Sequence, residues 1–165
     1  MTTQRRARLH LRVQRALSRK DAIHAPLAKH IRHWAGAAMC TVEAEVAVRL
    51  VGEAEGRRLN RDYRGKDYAT NILTFVYDEG EATPALPDSE ILQGDLVVCV
   101  PVVVSEALEQ GKAPEAHFAH LIVHGMLHLQ GFVHDEEAES QQMEIAEREV
   151  LATLGYPDPY RGDEA

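Results

Sequence analysis

Three histidines fall within eleven positions in the stretch HGMLHLQGFVH: His124, His128 and His134. The first two are four residues apart, which on a helix puts both imidazoles on one face, about 6 Å apart along the axis. Two rings so placed can converge on one Zn²⁺ at ~2.0–2.1 Å per bond. The third ligand cannot come from the same straight helix, because that face recurs at 131 or 132. The chain must leave the helix and swing back to bring in His134, and Gly131 supplies the backbone freedom for the departure. Three protein nitrogens leave the fourth tetrahedral position to water, the arrangement of a catalytic zinc, and bound zinc lowers the pKa of that water towards ~7. His117 and His120 extend the helical spacing backwards. His120, four residues before His124, reads as a group behind the ligands or as a rival ligand.

A zinc peptidase of the HExxHxxGxxH type carries Glu after its first histidine, and this chain has Gly125 there. That carboxylate takes a proton from zinc-bound water and passes it to the leaving amine. Phosphodiester cleavage depends more on stabilising charge that builds on the phosphate oxygens, which a metal and an arginine can supply. RNA also brings its own 2′-hydroxyl, an internal nucleophile already in place. The missing acid therefore tilts the reading from peptide to phosphate, although a carboxylate such as Asp95 could approach from elsewhere in the fold.

A second stretch, RRLNRDYRGKD, carries Arg57, Arg58, Arg61, Arg64 and Lys66. On a helix 57, 61 and 64 share a face, making a ridge of guanidinium groups that matches phosphate oxygens. Arg57, Arg61 and Lys66 are the candidate RNA-binding residues, and Tyr63 or Tyr68 could stack on an unpaired base. The plainer alternative is a solvated helix face with Asp62 and Asp67 as partners.

The elements that must position these groups follow from periodicity. Residues 9–17 begin as an alternating strand on Leu9, Leu11 and Val13, and 41–50 alternates most clearly, with Val42, Ala44, Val46, Val48 and Leu50 on one face. Strands are also expected over 71–77 and 94–100, the latter apolar enough to be buried on both faces. Residues 25–39 read as a helix with Pro26 in its first turn, and 53–65 as a helix ending at Gly65. Pro101 opens a helix stopped by Gly111, and Pro114 opens a central, buried helix that carries the first two histidines to about Gln130. A final amphipathic helix over 136–155 has Met143, Ala146, Val150 and Leu154 as its inner stripe, and 78–90 is an acidic, proline-containing loop. The whole predicts one α/β (α+β) domain over 1–165, a four-stranded mixed sheet with about five helices.

The chain has 165 residues and a net charge of −8, unevenly spread. The first 66 residues hold 15 Lys/Arg against 6 Asp/Glu, and the remaining 99 hold 3 against 20. A local basic surface could thus meet a polyanion despite the acidic total. No apolar run approaches the ~20 residues of a membrane span, so no membrane partner is expected. The N-terminus lacks the apolar block of a secretory signal, which points to a cytoplasmic chain. Cys40 and Cys99 lie far apart with no CxxC and read as free thiols.

The segments LNRDYRGKDYATNILTF, QGDLVVCV, HLIVHGMLHLQGFVHDEEAESQQME and LGYPDPY together resemble the YbeY family of bacterial endoribonucleases, in order over roughly residues 41–160. The resemblance implies one Zn²⁺ held by His124, His128 and His134, with Arg64 of YRGKD as the active-site arginine. It also implies a single-strand-specific endoribonuclease acting on ribosomal RNA precursors, notably at the small-subunit 3′ end, and in ribosome quality control. The implied partners are single-stranded RNA, the small ribosomal subunit or its assembly factors. One departure stands out: where the family usually reads GYDH before the third ligand, this chain reads GFVH, so Val133 replaces an acid that could orient an imidazole.

Two other classes compete. A zinc metallohydrolase of peptides or small molecules needs a carboxylate near the metal from outside the motif. A non-enzymatic ribosome-assembly factor with structural zinc needs a fourth protein ligand, for which Cys40, Cys99, His117 and His120 are the candidates.

Overall fold

The computed structural model describes residues 8–40, 43–77, 91–132 and 136–160. Along these the order is β1 (Arg8–Ala16), α1 (Arg19–Ala22), α2 (Ala28–Ala37), β2 (Glu43–Val51), α3 (Glu53–Arg64), β3 (Ile72–Val76), β4 (Ile91–Cys99), α4 (Val100–Glu109), α5 (Pro114–Leu129) and α6 (Glu137–Leu154). The expected loop at 78–90, together with Val133 and His134, lies outside the described residues.

The sheet is four-stranded and mixed, in the order β1-β2-β4-β3. β1 and β4 run parallel to β2 on either side, and β3 joins β4 antiparallel as an edge. The alternating apolar residues all face one way. Leu11, Ala44, Val46, Val48, Leu50, Leu96 and Val98 are buried in one cluster with Ile31 and Trp34 of α2, Phe118, Ile122 and Met126 of α5, and Met143 and Leu151 of α6. On the other face a smaller cluster of Val51, Leu73, Val97 and Cys99 packs under Leu59 of α3. The second half of β4 is therefore covered on both sides, as its continuous apolar run requires.

Sequence signals set most element ends. Gly65 ends α3 in the left-handed conformation at φ 70°, where a side chain would be strained. Pro114 sits at the first turn of α5, where its missing N–H is not needed. Three ends depart from expectation. Ser18 caps a short α1 by accepting from the Asp21 N–H, a turn that periodicity over four residues cannot reveal. α2 starts at Ala28, leaving Pro26 ahead of the helix and its carbonyl bonded by Arg15. β4 begins three residues early, because Ile91, Leu92 and Gln93 pair in register with Glu43, Ala44 and Glu45.

α5 lies directly on the sheet, and two glycines make that approach possible. A Cβ at Gly125 would stand 2.8 Å from Leu96 Cδ2 and 2.9 Å from Ile72 Cδ1. A Cβ at Gly94 of β4 would stand 2.7 Å from Leu129 Cδ2 and 2.9 Å from the Phe75 carbonyl oxygen. Contacts this short do not occur between real carbon atoms, so a side chain at 125 would displace the ends of Leu96 and Ile72, and one at 94 would also press on the Phe75 backbone.

Candidate active site

His117, His120, His124 and His128 follow one another along a flank of α5. His124 and His128 are one turn apart in its last two turns. The helix then ends as the spacing requires: Gly131 takes φ 103°, and the Phe132 N–H reaches back to the Leu127 carbonyl at 3.1 Å. That closing turn ends the helix ahead of the stretch that carries His134.

The centre of the site is a residue that sequence reasoning passed over. Glu147 of α6 is 0 % exposed, in the middle of the helix–helix interface. Its Oε1 accepts a hydrogen bond from Nδ1 of His124. Its Oε2 accepts from Nε2 of His120 at 3.3 Å and from the Tyr160 hydroxyl. Burial by itself would push this carboxyl up, but the bonds from His120, His124 and Tyr160 outweigh it and hold it at about 2. Burial, and then the same carboxylate, push the Tyr160 phenol up, so Tyr160 stays a donor. The Tyr160 ring also packs edge-on to His120 and lies under the Arg148 guanidinium.

His120 therefore stands behind His124. Its Nε2 is held by Glu147, and its Nδ1 is buried with no hydrogen-bond partner among the described residues. His117, 5 % exposed, is tied to Glu106 of α4 at 3.0 Å, and Glu106 also accepts from Asn71 at the start of β3. Burial lowers the pKa of His117 against the pull of that carboxylate. Cys99 lies beneath α3 against Gly56, on the opposite side of the sheet from α5, and burial raises its thiol to about 11. Cys40 follows α2, where its backbone N–H bonds the Gln130 side chain.

Arg64 is the last residue of α3. Its Nη2 donates to the Thr74 carbonyl at 2.7 Å, and its guanidinium lies over the Phe75 ring, which also meets the Tyr63 ring edge-on. Thr74 lies on β3, the sheet's edge strand, and α5 covers the neighbouring Ile72 from the opposite face. β3 is thus the element shared by the arginine and the histidine helix. Arg57 makes a two-pronged pair with Asp67 at 2.8 and 3.0 Å, and Arg61 pairs with Asp62 at 3.3 Å. Lys66 follows the Gly65 cap, exposed beside them. Asp95 points to the face of the sheet away from α5. There it accepts from the Tyr77 hydroxyl and, with His10, Arg12 and Arg49, lines a hollow of about 540 Å³.

A family model for Endoribonuclease YbeY matches residues 12–155. The chain belongs to the YbeY endoribonuclease family. The YbeY endoribonuclease of Aromatoleum aromaticum is 64% identical over 154 residues, covering 93% of this chain and 94% of that one. That of Chromobacterium violaceum is 52% identical over 157 residues, covering 93% and 91%. The solution structure of TM1509 from Thermotoga maritima shares the fold, with a TM-score of 0.51 at 22% identity over 94% of this chain and 96% of that one. The YbeY match begins at residue 12, well ahead of the motifs that carry the resemblance, so β1 and α2 belong to the family's fold as well.

The inner stripe expected on α6 is rotated. Its buried residues are Met143, Glu147 and Leu151, with Ala146, Val150 and Leu154 only partly buried beside them. An acid on the axis of an amphipathic stripe, four residues after Met143 and four before Leu151, was the available signal. An unpaired buried carboxylate is costly, so its position implied partners.

Proposed function

We propose that this chain is a single-strand-specific, zinc-dependent endoribonuclease acting in the maturation of ribosomal RNA, with the metal held by His124, His128 and His134. The observation that carries the reading is the family match across residues 12–155. Membership of an endoribonuclease family makes the chain a hydrolase of internal phosphodiester bonds in RNA. Its expected setting is the cytoplasm, on precursors of the small ribosomal subunit. No helix among the described residues is long and apolar enough to cross a membrane.

The two described donors, His124 and His128, suit a zinc ion. The Nδ1 side of His124 is turned to a carboxylate, which leaves Nε2 as the nitrogen with a lone pair, and His128 stands one turn further along the same flank. When bound, zinc supplies positive charge at the scissile phosphate and a water of lowered pKa. Arg64 offers a guanidinium whose orientation is set by the Thr74 carbonyl and the Phe75 ring, so it meets developing phosphate charge already positioned. Arg57 and Arg61 hold their acids in exposed pairs screened by solvent, weak enough for an incoming phosphate to displace. Tyr63 is 65% exposed despite its contact with Phe75 and offers a ring to an unpaired base.

Gly125 supports phosphate over peptide. Position 125 faces Leu96 and Ile72, so a glutamate there would be pressed into the sheet. Asp95, the other carboxylate considered for that role, faces away. The test is metal content by elemental analysis, paired with cleavage of single-stranded RNA before chelation, after it, and after adding back zinc. The same preparations are assayed on peptide and ester panels. Full RNA cleavage by metal-free protein, or peptide hydrolysis at equal metal content, would refute the reading.

A further inference from the structure

We infer that Glu147 is a positioning residue for the metal centre: it fixes His124 with its proton on Nδ1, so that Nε2 is presented to the ion before any ion arrives. This rests on the proposed zinc site and adds a residue from outside the histidine motif.

The argument is one of donors and acceptors. An ionised carboxylate accepts and cannot donate, so each ring nitrogen facing Glu147 must carry its hydrogen. Nδ1 of His124 faces Oε1. The neutral ring then has its lone pair on Nε2 and nowhere else. Glu147 is itself held from three directions. Tyr160 and His120 both reach Oε2, and the backbone of α6 on which it rides is packed through Met143 and Leu151. A carboxylate with both oxygens engaged and no exposed surface cannot rotate away from the imidazole. The arrangement also gives the His120–Tyr160 contact a purpose: both groups engage Oε2 of Glu147 and leave Oε1 turned to His124. Carboxylate–histidine–metal relays of this kind typically change metal affinity 10–100-fold when broken.

The test begins on metal-free, ¹⁵N-histidine-labelled full-length protein at a pH of about 9, where unperturbed imidazoles are neutral. Long-range ¹H–¹⁵N spectra report which ring nitrogen bears the proton, with the His124 signals assigned by their loss in His124→Gln. The wild type is expected to hold the Nδ1–H form, and a proton resident on Nε2 would overturn the inference. Glu147→Gln retains an acceptor without the charge, and Glu147→Leu removes both. Zinc affinity measured by competition with a chelator is expected to fall 10–100-fold in Glu147→Gln and at least as far in Glu147→Leu. Glu147→Gln is also expected to keep the tautomer and a wild-type circular dichroism spectrum. If His124→Gln loses zinc while both Glu147 variants bind it as wild type does, the positioning role fails and the metal site stands. If His124→Gln keeps stoichiometric zinc, the metal site itself fails, and this inference with it.

Discussion

His124 and Glu147, 23 residues apart on two different helices, are joined by a hydrogen bond between Nδ1 and Oε1 inside the α5–α6 interface. A candidate metal ligand near the surface is thereby tied to a side chain with no exposed area at all. With the proposed metal site, this bond would couple affinity for the ion to the packing of the last helix.

The hydroxyl of Tyr160 isolates one arm of this arrangement. Tyr160→Phe keeps the ring against His120 and Arg148 and removes only the donor to Glu147. A hydrogen bond to a charged group contributes about 1.5–3 kcal/mol, so the variant is expected to lose about that much stability in urea unfolding of the metal-free protein. An unchanged midpoint would mean that His120 and His124 suffice to satisfy the carboxylate.

Arg64 is expected to act on rate and not on metal content. Arg64→Glu should reduce cleavage of single-stranded RNA by at least about 10²–10³-fold, the cost of losing one positioned donor at developing charge. Zinc should stay stoichiometric, since Arg64 bonds the Thr74 carbonyl and the Phe75 ring. Undiminished cleavage in this variant would remove Arg64 from the mechanism.

Restoring the peptidase acid should fail on packing. Gly125→Glu forces a side chain against Leu96 and Ile72 and buries a carboxylate without a partner. Overpacking of about 1–3 kcal/mol and the burial of an unpaired charge add, so the variant is expected to lose about 3 kcal/mol or more, read as a drop in Tm. A stable variant that hydrolyses peptides would contradict the packing account of this position.

The pH response of stability should carry the mark of His117. Burial lowers its pKa in the folded protein, and the Glu106 carboxylate only partly offsets this. Its contribution is therefore intact above the unfolded value of about 6.5 and is lost as pH falls from there towards the lower folded value. Below about 6.5 the unfolded chain binds a proton that the folded chain resists. His117→Gln is expected to flatten this segment of the stability–pH curve, measured by urea unfolding from pH 8 to pH 5. An equally steep curve in the variant would assign the slope to another group.

Local patterns carried the elements and the histidine spacing. The i, i+4 histidines, the proline starts at 101 and 114, and the glycine ends at 65 and 131 are short-range features, fixed by how neighbouring residues constrain backbone torsions. Alternation in β2 assigned its buried face correctly for the same reason. The Arg57–Asp67 pairing was legible as an alternative, because both partners lie within ten residues.

Three features were decided only by the tertiary structure. Strand order β1-β2-β4-β3 put the Arg64 carbonyl partner on an edge. The contact of α5 with the sheet put Gly125 against the side-chain ends of Leu96 and Ile72, where the sequence showed only an absent acid. The rotation of α6 by about one residue carried Glu147 from an acidic surface helix into the site. Each depends on which face of one element meets another across tens of residues of chain. Periodicity fixes the faces an element has, while the shape of the partner across the core fixes which of them is buried.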